Sequence, residues 1–192
     1  ILIGLANSGK SSLLAKLTNA NPKITPYAFS TSHPEIGTMD YQGVKAQIID
    51  MPSIGSENFD LGLLNTADCL IILLESLQDL DKICPYLAKA RGSQIIILNK
   101  SDLLSQEQQR KLEATIKSKK LNALLISTIT NQNIEQLKSL IFKQMHVIRI
   151  YTKEPGKPQS TIPIVLKENS SVKDVAESIR HGFYLQIKET RL

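Results

Sequence analysis

Residues 4–11 read Gly4-Leu5-Ala6-Asn7-Ser8-Gly9-Lys10-Ser11, a complete G-x-x-x-x-G-K-S that directly follows the apolar run Ile1-Leu2-Ile3. Few motifs restrict a fold as tightly. Such a loop must leave a buried strand, present consecutive backbone N–H groups to an anion, and feed a helix whose positive end faces phosphate. Strand, loop and helix are therefore required in that order. Gly4 and Gly9 allow backbone geometry that a Cβ would obstruct. Lys10 can reach β- and γ-phosphates, and the Ser11 hydroxyl can ligate Mg²⁺. Leu13, Leu14 and Leu17 then continue at helical spacing. Asn7, Ser8, Gly9, Lys10, Ser11 and Ser12 are the candidate nucleotide contacts here, with Lys10 also a catalytic candidate.

The base is selected further along the chain. Ile95–Leu98 has the composition of a buried strand and runs straight into Asn99-Lys100-Ser101-Asp102, an N-K-x-D arrangement. A carboxylate at Asp102 accepts two hydrogen bonds from guanine N1–H and its 2-amino group. Adenine offers no such pair and would leave a buried acceptor unpaired, at a cost of about 1–3 kcal/mol. Asn99, Lys100 and Asp102 therefore point to GTP and GDP rather than ATP. Val44–Asp50 reads as a strand ending in an acid, suited to holding Mg²⁺ through water. Ala123–Ile126 leads into Ser127-Thr128, the candidate loop against guanine O6.

Apolar β-branched runs alternate with helical patterns through residue 145. Strands are expected at 1–3, 44–50, 68–74, 94–98 and 123–126, with an antiparallel strand near 38–42. Helices are expected at 9–18, 60–66, 79–90, 105–118 and 132–145, the fourth capped by Ser105 with Gln108 three residues on. Such alternation implies an α/β class: a mostly parallel sheet covered on both faces, a three-layer α/β/α domain over residues 1–145 with nucleotide at the carboxyl ends of the strands. After His146 the pattern changes. Val147–Thr152 and Thr161–Leu166 alternate like paired strands, Ser171 and Asp174 open a helix, and Phe183–Lys188 reads as a further strand. Residues 146–192 thus form a small α+β domain of hairpin, helix and strand.

Composition narrows the setting. The chain has 192 residues, 42% of them hydrophobic, and its longest apolar run, Cys69–Leu74, is far too short to span a membrane. With no basic, apolar leader at the start, a cytoplasmic protein is expected. The absence of Met at position 1 suggests a chain that begins upstream. Cys69 and Cys84 are expected as buried thiols, and His33, His146 and His181 share no ligand spacing. The net charge of +5 favours an anionic partner. Lysine-rich solvated faces and RNA contact both remain open, without the aromatic interleaving of a single-strand binder.

GLANSGKSSLL, then YAFSTSHPEIG, Asp50-Met-Pro and NKSD together resemble the Obg/DRG group of translation-factor-class GTPases across residues 1–145. The resemblance implies that Thr31 ligates Mg²⁺ and senses the γ-phosphate, with Thr38 as the rival. Two departures matter. The family's D-x-P-G ends here in Ser53, which visits positive φ poorly. With it, Ile54 stands where Ras-type enzymes place a water-orienting Gln, so intrinsic hydrolysis is expected to be slow; the second departure is residues 55–62, shorter and less Gly-rich than the family's switch II. Similar families use a bound K⁺ held partly by an Asn at the position of Asn7; a local backbone bond is the alternative role for that residue. The run P-I-V-L…S-V-x-D-V-A…I-x-H, ending at His181, resembles the β-grasp TGS domain, apparently incomplete at its C-terminus. That resemblance implies ribosome or RNA association through residues 146–192; no membrane or DNA partner is expected. Two functions stay open: a slow GTPase switch, and a guanine-nucleotide-dependent binding module with negligible hydrolysis. Oligomeric state is not legible.

Overall fold

The computed structural model describes residues 1–20, 33–154 and 156–187. The chain divides into two compact units: Ile1–Met39 with Lys45–Met145, and Asp40–Val44 with His146–Leu192. Among the described residues no helix is long and apolar enough to cross a membrane.

The first unit is built on a six-stranded sheet. Its strands are β1 (Leu2–Gly4), β2 (Glu35–Tyr41), β3 (Val44–Asp50), β4 (Cys69–Leu74), β5 (Ser93–Leu98) and β6 (Ala123–Leu125), in the order β2-β3-β1-β4-β5-β6. β1 pairs parallel with β3 and β4, and β5 pairs parallel with β4 and β6. β2 returns on β3 through Gln42-Gly43, both at positive φ, a two-residue turn that only an antiparallel pair can use. The sheet is therefore mixed, and the edge strand is longer than the sequence pattern implied. All six residues of β4 are buried, as a strand covered on both faces requires. Its Leu70, Ile72 and Leu74 pack with Ile3, Met51, Leu98 and Leu125 in one core cluster. Because β1 lies between β3 and β4, strand order reverses at its carboxyl end, where an open α/β sheet forms its ligand crevice.

Five helices belong to this unit: α1 (Lys10–Leu17), α2 (Leu61–Asn65), α3 (Leu80–Leu87), α4 (Gln106–Ser118) and α5 (Ile134–Gln144). α4 starts at the expected capping box, with Ser105 accepting from Gln108 N and Gln108 reaching back to the Ser105 amide. α3 is shorter than the pattern suggested, preceded by a 3₁₀ turn over Leu77–Asp79. Its Ile83 and Leu87, four residues apart, take the buried face. Cys84 is consequently exposed, against expectation, while Cys69 is buried and both thiols are free.

The second unit contains β7 (Val147–Ile150) paired antiparallel with β8 (Ile164–Lys167), followed by α6 (Val172–Ile179). Ser171 and Asp174 cap α6 reciprocally, as anticipated. Arg149 lies 6.0 Å from the Tyr41 ring centroid and donates to Gln42, joining the 40–44 turn to this unit. Over the described residues 183–187 the strand expected at Phe183–Lys188 is not formed; Phe183–Gln186 is a 3₁₀ turn. Gly182 sits at φ 75, and short-range bonds from Leu185 N to Gly182 O and Ile187 N to Tyr184 O use groups a ladder would need.

Candidate functional site

Four strand ends meet at the crevice, each delivering one motif. β1 releases residues 5–9, which turn back into α1 at Gly9, φ 95. The approach at Gly9 is so close that a Cβ there would stand 2.4 Å from Asn99 Nδ2. Ser8 is buried and its hydroxyl donates to Leu5 O at 2.9 Å, closing the loop on itself. Asn7 is exposed at φ 62, and its side chain makes no hydrogen bond among the described residues, so the alternative local backbone bond is not seen there. Ser12 is half-buried in the first turn of α1.

Lys10 is 6% exposed, and its Nζ donates to Leu5 O and Ser53 Oγ, each at 3.1 Å. Burial holds its pKa below the ordinary lysine value, partly opposed by the Asp50 charge. Ser11 Oγ donates to Asp50 Oδ2 at 2.6 Å. Asp50 is fully buried at the end of β3, and burial pushes its pKa up to about 6 against the Ser11 bond and the Lys10 charge. Its other oxygen, Oδ1, is buried without a partner among the described residues. A hydroxyl and a half-satisfied carboxylate are the hard oxygen donors that Mg²⁺ accepts. Among the described residues no cluster of three or more His, Cys, Asp and Glu could hold a metal alone, so such an ion would depend on phosphate and hydroxyl oxygens as well. Thr31 lies outside the described residues. Its rival Thr38 is exposed in the middle of β2.

At the other end of the crevice, Asn99 joins the phosphate loop to the base loops. Its Nδ2 donates to Ser8 O at 3.0 Å, and its Oδ1 accepts from Thr128 N at 3.3 Å. Lys100 adopts φ 60, and its ammonium pairs with Glu75 at 2.5 Å. Ser127 donates to Asp102 Oδ1, which orients that carboxylate. Ser101 Oγ donates to Gln132 Oε1 at 2.8 Å, and Ser127 N to Gln132 O, so Gln132 braces both loops. Neither Gln132 nor Glu75 was legible as a site residue, since no motif marks them.

The segment after Asp50 answers the concern about position 53. Ser53 does not take positive φ; Gly55 does, at φ 87. Ile54 is 7% exposed and packs in the core cluster, with its amide donating to Gly4 O at 3.1 Å.

Comparison with known proteins agrees with this geometry. Residues 1–100 match the family described as 50S ribosome-binding GTPase. GTPase Obg of Pelagibacter ubique is 31% identical over 157 residues, covering 72% of this chain and 48% of that protein. GTPase Obg of Fervidobacterium nodosum is 30% identical across 96% of this chain and 50% of its own length. The chain thus spans about half the length of these curated relatives. Era in complex with MgGDPNP and nucleotides 1506–1542 of 16S ribosomal RNA superposes with a TM-score of 0.65 at 19% identity, covering 93% of this chain and 63% of that one. The P-loop GTPase fold is shared with it. With the match extending over more than half of its residues, through β5 and Asn99, the chain belongs to the 50S ribosome-binding GTPase family.

Proposed function

We propose that this chain binds GTP and GDP with Mg²⁺ and hydrolyses GTP slowly, as a nucleotide-dependent switch that associates with ribosomal RNA. The observation that carries the reading is Asn99, one side chain bonded to both the phosphate loop and the guanine loop. Ser8, Gly9, Lys10, Ser11 and Ser12 would hold phosphates, and Asn99, Lys100, Asp102, Ser127 and Thr128 the base. Ser11, Asp50 and Thr31 would hold Mg²⁺, Thr31 on the strength of the Obg/DRG resemblance. When bound, the ion supplies counter-charge to the phosphate oxygens. The chain's own residues orient and neutralise. Lys10 turns its ammonium to the β- and γ-phosphates, and Asp102 accepts from guanine.

Slow turnover follows from position 54. Ile54 carries no group to orient water, and its side chain is committed to the core. Arginine is scarce as well: Arg91 is the only one before residue 110. A monovalent cation held partly by Asn7, exposed and uncommitted on the loop, would replace that charge; electrostatic stabilisation of this kind contributes several kcal/mol in related chemistry. Hydrolysis in a single turnover should be faster in K⁺ than in Na⁺ at equal ionic strength, and Asn7→Ala should erase the difference while leaving GDP binding intact. Equal rates in the two salts would favour the second reading, a binding module without useful turnover, which the buried Ile54 also supports.

The second unit, with its antiparallel pair and capped helix, is read as a TGS-like β-grasp domain over residues 146–192. Its basic residues and the Obg and Era likenesses support RNA as partner. Guanine preference is tested by competition between GDP and ADP, where preference for ADP defeats the assignment. Asp102→Asn should weaken GDP binding and admit xanthosine nucleotides, because an amide donates where xanthine offers an oxygen. Co-sedimentation of ribosomal particles with the chain loaded with a GTP analogue tests the partner.

A further inference from the structure

Serine at position 53 changes the chemistry beside the phosphate-binding lysine. Ser53 is 5% exposed, and its Oγ accepts from Lys10 Nζ at 3.1 Å. The hydroxyl still has a proton to give, and neither that proton nor the Ser53 amide meets an acceptor among the described residues. Two backbone bonds pin the segment against β1: Met51 N to Leu2 O and Ile54 N to Gly4 O, both 3.1 Å. Ser53 is therefore held in place beside the ammonium. It comes from the end of β3, outside the loop whose own amides enclose the inner phosphates.

We propose that the Ser53 hydroxyl is a direct ligand of the terminal phosphate of GTP, accepting from Lys10 while donating to a γ-phosphate oxygen. A glycine there offers an amide alone. Serine adds a second donor from the same residue, and a donor aimed at an anion is worth more than one aimed at a neutral group. GDP lacks the oxygen that this proton would meet, so the hydroxyl contributes to preference for triphosphate over diphosphate. The inference rests on the reading of Lys10 as the phosphate-binding lysine.

The test is nucleotide affinity of the intact chain at saturating Mg²⁺, measured for GDP and for a non-hydrolysable GTP analogue. Ser53→Ala should weaken the analogue about tenfold and leave GDP within about twofold. Ser53→Thr, which keeps the hydroxyl, should retain most of the preference, and Ser53→Gly should lose it as alanine does. Unchanged affinities in Ser53→Ala, or equal changes for both nucleotides, overturn the proposal while GTP binding by the wild-type chain stands. If the wild-type chain binds neither nucleotide, the proposal and the GTP reading both fall. Unliganded Ser53→Ala should melt modestly below wild type, because the buried Lys10 ammonium loses one acceptor; such a drop with both affinities unchanged would assign the residue to structure alone.

Discussion

Asn99 is buried to 4% exposure, and its amide satisfies two backbone groups that otherwise have to find partners inside the protein. Replacing it with alanine leaves Ser8 O and Thr128 N short of a bond, and a buried group left so costs about 1–3 kcal/mol. Asn99→Ala should therefore lower unfolding free energy by about that amount in denaturant melts, and weaken GDP binding as well. Loss of binding with stability intact would confine Asn99 to the ligand. The motif itself was readable, since N-K-x-D after an apolar strand has few other uses. That its first residue ties two loops together was not readable. Ser53 differs in kind: the sequence marks it only as a departure from glycine, and its bond to Lys10 appears once β3 pairs with β1.

Helix α6 shows what an element owes to its ends. Asp174 accepts from the Ser171 amide at 2.7 Å and its hydroxyl at 2.8 Å, and these bonds hold its carboxyl below the usual 3.8. A carboxylate with a depressed folded pKa contributes stability that is present above pH 3.8 and lost as pH falls through the lower folded value. Hydrogen-exchange protection at the first turn of α6 should thus fall below pH 3.8, and Asp174→Asn should flatten that step. Both caps were legible because a cap is a contact over three residues. The 3₁₀ turn at Phe183–Gln186 was not. Its alternation satisfies a strand template, but a strand also needs a neighbour, and Gly182 at positive φ turns the chain into local bonds.

At the scale of the molecule, the central strand carries the fold, and the net charge bears on the proposed partner. Ile72 is fully buried in β4, between β1 and β5. Truncating it opens a cavity that two flanking strands cannot close, so Ile72→Ala should cost about 2–5 kcal/mol in denaturant unfolding. If RNA is the partner, the net charge of +5 predicts binding to ribosomal RNA that weakens linearly on a log–log plot against salt. Lys167→Ala and Arg180→Ala, both exposed in the second unit, should each reduce the slope by about 0.7 where the residue meets a single-stranded phosphate. Unchanged slopes would move the contact to the first unit.

The sequence by itself determined most of what short stretches of chain encode, the turn at Phe183–Gln186 excepted. The strand–loop–helix at residues 1–17, the alternation that makes an α/β sheet, the caps at Ser105 and Ser171 and the guanine motif all depend on neighbours within a few residues. Tertiary structure decided what depends on distant partners. Lys10 meets Ser53 across 43 residues, and Asn99 meets Ser8 across 91. Cys84 faces outward because Ile83 and Leu87 claim the inner side of α3, and Ile54 is buried because the core has room for it beside Met51 and Leu64. Local rules set which backbone shapes are available; only packing of the assembled sheet determines which side chains end within hydrogen-bond reach.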